Sequence, residues 1–164
     1  MKKLNIALVA HDARKKELVE WCKFNEKKLK QHNLFATGTT GELIKNIEEC
    51  DEDLLDDCLY CFYKPFENNV TKLLSGPLGG DQQIGAMIAE GKLDVLIFFC
   101  DNLITQGHQQ DVGALTRLAS LYNIAFATNR TTADMIITSS LFGNEEYERI
   151  IPASIDNYKN RTLC

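Results

Sequence analysis

The sequence predicts an α/β fold: a doubly wound, five-stranded parallel sheet with helices on both faces. Three observations predict it. Five short apolar runs, NIALVA (5–10), NLFAT (33–37), VTKLLS (70–75), DVLIFFC (94–100) and IAFAT (124–128), alternate with longer amphipathic segments. Several of the runs are continuously apolar, which suits strands covered on both sides. Strand-then-helix units in succession imply parallel neighbours, because parallel strands need crossovers. The expectation is one domain over residues 1–164, with an insertion at about 47–69.

The opening MKKLNIALVA pairs lysines with an apolar run, as a secretory signal does. The run is too short for one and leads directly into HDARKKE, so a first buried strand is the better reading. Residues 13–31 form the longest predicted helix, with Leu18, Trp21, Cys22 and Leu29 inward. The segment 47–69, dense in acids and then aromatics, interrupts the strand–helix rhythm before the third strand. It reads either as a solvated acidic turn with its apolar residues tucked against the body, or as a partner site. Ile84, Met87 and Ile88 mark one helix face after the third strand; Val112, Leu115, Ala119 and Tyr122 mark another after the fourth.

A formal charge of −5 argues against nucleic-acid binding by a basic face. No stretch approaches the roughly 20 apolar residues of a membrane helix, so the expectation is a cytoplasmic protein without a membrane partner. Cys22, Cys50, Cys58, Cys61, Cys100 and Cys164 show no regular framework and are expected to be reduced. Cys58-Leu-Tyr-Cys61 has CxxC spacing, but no second ligand pair is evident for a structural zinc.

In doubly wound folds ligands collect at the carboxyl ends of the strands, so the residues after each strand carry the functional signal. After the first come His11, Asp12 and Lys15, readable as ligand-facing groups or as a helix cap with a solvated basic turn. ATGTTG (36–41) offers the hydroxyls of Thr37, Thr39 and Thr40, Gly38 and Gly41, and the amides of a helix start. That set makes an anion cradle; a Thr-capped turn is the alternative. GPLGGDQQIG (76–85) follows Ser75 and delivers Asp81 to a helix N-terminus, where the dipole favours negative charge. Capping would explain Asp81 but not the glycine-rich approach to it, which lets a ligand near the main chain. After the fourth strand Asp101, His108 and Asp111 form an acid–base set. The combination suits proton abstraction beside a carbonyl in a small phosphorylated compound. His32, at a helix-to-strand turn on the opposite rim, reads as structural.

IALVAHD, ATGTTG, LSGPLGGDQQIGA, IAEGKLDVLIFF and ATNRTTAD together resemble the methylglyoxal synthase family, from about residue 5 to the C-terminus apart from the insertion. The resemblance implies a three-layer α/β/α sandwich and conversion of dihydroxyacetone phosphate to methylglyoxal and inorganic phosphate, with no metal or organic cofactor. It also implies a homohexamer inhibited by phosphate. By the same resemblance Asp81 is the base, and His11 and His108 lie at the substrate. Lys15, Thr37, Gly38, Thr39, Thr40, Ser75 and Gly76 hold the substrate, largely through its phosphate. Asp12, Asp101 and Asp111 are further active-site carboxylates, and Arg161 reaches phosphate, across a subunit boundary in one reading. The family usually has tryptophan and proline where this chain has Cys100 and Asn102, and HDPD where it has His108-Gln-Gln-Asp111.

Two other readings compete. A similar fold serves as the effector-binding domain of carbamoyl phosphate synthetase, which would make the chain a non-catalytic anion binder; Asp81 and His108 speak against that. A redox or zinc-bound interaction protein built around Cys58 and Cys61 is the third.

Overall fold

The structure, a computed structural model, describes residues 1–50, 62–103 and 109–162. Five strands form the main sheet: β1 (Asn5–Ala10), β2 (Asn33–Thr37), β5 (Val70–Leu73), β6 (Val95–Phe99) and β7 (Ala125–Ala127). Their order is β5-β2-β1-β6-β7, and every pairing is parallel. Each of the five predicted runs contains one of these strands.

Alternation along the central strands divides the core in two. Ile6, Leu8 and Ala10 of β1, with Val95, Ile97 and Phe99 of β6, face one side, where they join Leu18, Trp21, Ile44, Ala133 and Ile137. Those five belong to α1 (Lys15–Phe24), α3 (Gly38–Lys45) and α6 (Arg130–Thr138). Ala7, Val9, Leu96 and Phe98 face the other side, against Ile84, Ile88, Val112, Leu115 and Ala119. These come from α4 (Gly80–Ala89) and α5 (Gln109–Leu121). A central strand apolar at every position is thus a strand sandwiched between helix layers. Burying a residue the size of Phe98 or Phe99 contributes about 1.5–3 kcal/mol. Trp21 adds direction, since its Nε1–H donates to Asp134 Oδ1 at 2.8 Å and ties α1 to α6.

Two local readings are corrected. The predicted helix 13–31 is a 3₁₀ turn (Asp12–Arg14), α1, and a short α2 (Glu26–Leu29). The break falls at Asn25, whose side-chain Nδ2 donates to Trp21 O at 3.0 Å, a local bond that competes with helix continuation. Asp12 makes no cap, because its carboxylate pairs with Lys15 instead.

Between α3 and β5, β3 (Glu49–Cys50) and β4 (Phe62–Tyr63) pair antiparallel outside the main sheet. Phe66 just beyond them is fully buried in the first core, and Tyr63 donates its hydroxyl to Glu26 Oε1 at 3.2 Å. Residues 51–61, which include Cys58 and Cys61, lie outside the described residues. Near the C-terminus, α7 (Ala153–Lys159) buries Ile155. Among the described residues, no helix is long and apolar enough to cross a membrane.

Candidate active site

The chain runs outward through β1, β2 and β5, then returns to lay β6 and β7 on the other side of β1. Strand order therefore reverses between β1 and β6, which is where doubly wound sheets open a crevice. A cleft of about 490 Å³ lies at this carboxyl edge, lined by residues that follow β1, β2 and β5. His11, Asp12, Lys15, Thr37, Gly38, Thr39, Thr40, Ser75, Gly76 and Asp81 all line it, so ten of the predicted site residues converge.

His11 is the first residue after β1. Its Nδ1 lies 2.9 Å from the backbone N–H of Asp101, which donates to it. The carbonyl oxygen of Asp101 lies 3.2 Å from the same Nδ1, so the Asp101 main chain holds the ring in either tautomer. The ring stands edge-on to Phe98, 5.0 Å between centroids, and the residue is only 5% exposed.

The segment after β2 forms the first turn of α3. By helix geometry its leading amides lack intrahelical partners, so a positive dipole end faces the cleft. Gly38 has φ of +40°, and a Cβ there would come within 2.3 Å of Ser75 Oγ, so the β2 and β5 loops can close on one another only with glycine at this position. Lys15 Nζ reaches across from α1 to bond Asp12 Oδ1 at 2.5 Å and also Thr39 Oγ1. The Lys15 ammonium lowers the Asp12 carboxyl pKa, by hydrogen bond and then by charge, with a smaller contribution from His11. Thr40 is 1% exposed, and its Oγ1 is buried without a hydrogen-bond partner. A buried hydroxyl left unsatisfied calls for a partner, and the adjoining cleft is where a ligand could supply one.

After β5 comes the glycine-rich approach. Ser75 O accepts from the amides of Leu78 and Gly80, both at 2.9 Å, closing a tight turn. Gly79 leaves that turn at φ +106°, a left-handed conformation that strains other residues. At Gly80 a Cβ would stand 2.1 Å from Leu74 O. The two adjacent glycines thus do different things: one reverses the backbone, the other lets α4 start directly against β5. Asp81, the second residue of α4, is delivered to the cleft at 3% exposure.

The remaining predicted residues are placed differently. Asp101 supports His11 through its main chain, while its Oδ1 accepts from Leu103 N–H at 3.0 Å; it does not line the cleft. Asp111 is half-buried in the first turn of α5, also away from the lining. Arg161 is exposed beyond α7, its guanidinium 3.7 Å over the Tyr158 ring. His108 lies outside the described residues. Val9, Ala10, Pro77 and Phe98 complete the cleft wall and were not anticipated, although the two-residue period of β1 and β6 puts Val9 and Phe98 on one face. Cys22 and Cys100 are free thiols, and burial pushes Cys100 up to about 11. Among the described residues no group of three or more His, Cys, Asp or Glu gathers around a potential metal position.

Sheet order and cleft together define a doubly wound α/β protein with its site at the carboxyl edge, and the family model for the MGS-like domain matches residues 65–128. The chain is 50% identical to the methylglyoxal synthase of Proteus mirabilis over 146 residues, covering 89% of this chain and 84% of that protein. It is 54% identical to that of Maridesulfovibrio salexigens over 142 residues, 86% of this chain and 87% of its relative. The crystal structure of methylglyoxal synthase from Elizabethkingia anophelis superposes with a TM-score of 0.78 at 41% identity, covering 99% of this chain and 93% of that one. The chain belongs to the methylglyoxal synthase family and has its lyase activity.

Proposed function

We propose that the cleft converts dihydroxyacetone phosphate to methylglyoxal and inorganic phosphate, with Asp81 as the base. The observation that carries this reading is the sharing of one cleft by a 3%-exposed carboxylate and an anion cradle built from Lys15, Thr39, Thr40, Ser75 and Gly76.

The α3 amides, Lys15 and the hydroxyls hold the phosphate, with Thr37 and Gly38 shaping the same wall. Asp81 removes a proton from the hydroxymethyl carbon, and the electron pair left behind forms an enediolate. His11 donates from Nε2 to a substrate oxygen. By family resemblance His108 stabilises the enediolate charge, and Asp12, Asp101 and Asp111 act as accessory carboxylates. For Asp101 the structure supports an indirect version, in which its main chain orients His11.

When the bridging C–O bond is held out of the enediolate plane, the π electrons expel phosphate. The hydroxymethyl oxygen, its proton passing to the departing phosphate, becomes the aldehyde, and the remaining enol takes on its methylene carbon a proton equivalent to the one Asp81 removed, giving methylglyoxal. Holding that bond in the plane would favour isomerisation instead, so positioning selects the product. Phosphate, as product, competes for the cradle and acts as an inhibitor.

The same reading makes the chain one domain that includes the 47–69 segment, working in the cytoplasm as a homohexamer. Arg161, remote from its own cleft, serves a neighbouring subunit's phosphate. Incubating purified protein with dihydroxyacetone phosphate and measuring both products tests the proposal. Equimolar methylglyoxal and phosphate are expected; glyceraldehyde phosphate would make the chain an isomerase, and no turnover a binding module.

A further inference from the structure

We propose that Gln83 is a positioning residue for the elimination: its side chain fixes the helix bearing Asp81 to the strand end that also anchors the anion cradle. The inference rests on the reading of Asp81 as base.

Leu74 is the residue at which the two halves of the site meet. It follows β5, the edge strand of the sheet, so no further strand is available to its outward amide. Gln83 Oε1 takes that place, accepting from Leu74 N–H at 2.9 Å. Leu74 O accepts from the amide of Gly38, the first residue of α3, at 3.1 Å. The same carbonyl oxygen lies where a Cβ on residue 80 would collide with it.

Cradle and base helix are therefore both referenced to Leu74, the cradle through its carbonyl and the helix through its amide. Gln83 sits two residues beyond Asp81, and its own N–H donates to Gly79 O at 3.0 Å, so its backbone is committed to α4 while its side chain leaves for β5. The side chain is exposed and fills no core space, which separates its positional role from any packing role.

Elimination needs two geometries at once: a carboxylate within reach of the carbon proton, and a C–O bond held out of plane by the phosphate grip. A shift of α4 against the cradle breaks that coincidence without touching the phosphate contacts themselves. Small misplacements of reacting groups cost rate steeply.

Gln83→Met keeps length and helix propensity but accepts no comparable hydrogen bond, whereas Gln83→Glu keeps an acceptor oxygen. For Gln83→Met we expect kcat to fall about tenfold, while the inhibition constant of inorganic phosphate stays within about twofold. Gln83→Glu should recover most of kcat, and Gln83→Ala should repeat the Met result if methionine packs poorly. Three results would overturn the proposal: an unchanged kcat in both Met and Ala variants, a loss of phosphate affinity equal to the loss of kcat, or no recovery with Glu. Asp81→Asn, assayed beside them, keeps the two ideas apart. Retained turnover there removes the base, whereas retained turnover only in the Gln83 variants removes the clamp.

Discussion

The chain has two buried histidines whose rings are held by the same device on opposite rims of the sheet. His11 follows β1, and its Nδ1 accepts from the Asp101 amide at 2.9 Å; His32 precedes β2, and its Nδ1 accepts from the Leu4 amide at 3.2 Å. Around His11 the backbone opens into a cleft of about 490 Å³. Around His32 the ring itself is covered: Phe142 stands edge-on at 5.0 Å, Lys2 N–H bonds Gly143 O, the N-terminal ammonium pairs with Glu145, and a smaller cavity of about 180 Å³ lined by Leu4 and Phe142 leaves His32 out of its wall. The difference teaches that burial and a backbone bond do not make a histidine functional. Both rings also keep a buried Nε2, so what distinguishes the carboxyl edge is that His11 shares its cleft with Lys15, Thr39, Thr40, Ser75 and Asp81, whereas His32 lines no cleft with such groups.

The sharpest way to break that contrast is at the base. Asp81→Asn should lower kcat by about a thousandfold, the scale of a lost general base, while phosphate still protects the protein against thermal unfolding. If kcat stays within tenfold of the parent, Asp81 is only a cap and the carboxyl edge loses its chemistry. Next in size is Gly80→Ala, which sets a methyl carbon against Leu74 O. Overpacking of this kind costs about 1–3 kcal/mol, and here the displaced element carries Asp81, so activity should fall further than stability. Denaturant midpoints and kcat measured on the same preparation decide it; a variant with intact turnover would show that α4 need not sit so close to β5.

A smaller effect is expected in the cradle. Thr39→Val with Thr40→Val should raise KM for dihydroxyacetone phosphate about tenfold, the sum of two ordinary hydrogen bonds at about 0.5–1.5 kcal/mol each, and leave kcat much less changed. An unaltered KM would move phosphate recognition to Lys15 and the α3 amides alone.

How much of this was legible in the sequence depended on how local the cause was. The strands were legible because each lies in a short run rich in apolar residues between amphipathic segments, and the loop after β2 because glycines and threonines cluster at that strand end. The place of Asp81 in the cleft was legible because the glycines before it mark a tight turn that sets a helix start against a strand end. The break at Asn25 was hidden, since helical periodicity continues through it while its backbone leaves helical geometry, with both its N–H and its side-chain Nδ2 on Trp21 O. The β3–β4 pair was hidden because its strands are two residues each and meet only through folding. The Gln83 clamp needs a backbone partner nine residues away, and spacing alone does not reveal that bond. Arg161 came only from family resemblance, and on its own subunit it stacks on Tyr158 instead of reaching the cleft.

The smallest predicted effect sharpens the comparison from the closed rim. Burial, with Lys3 nearby, holds the His32 pKa below its ordinary value of 6.5, and Asp94 opposes this more weakly. In the unfolded chain the ring takes up a proton near that ordinary value, whereas in the folded protein it resists until lower pH. Between the two pKa values the unfolded state binds more protons, so stability is full above about pH 6.5, declines as pH falls through the window, and levels off below the folded pKa. His32→Asn retains an acceptor for the Leu4 amide but cannot titrate. Urea midpoints from about pH 8 to about pH 5 should therefore fall less steeply in the variant than in the parent, the other titrating groups cancelling in the difference. Parallel curves would mean that His32 is protonated as readily inside the fold as outside it, and that the closed rim is more open to water than its packing indicates.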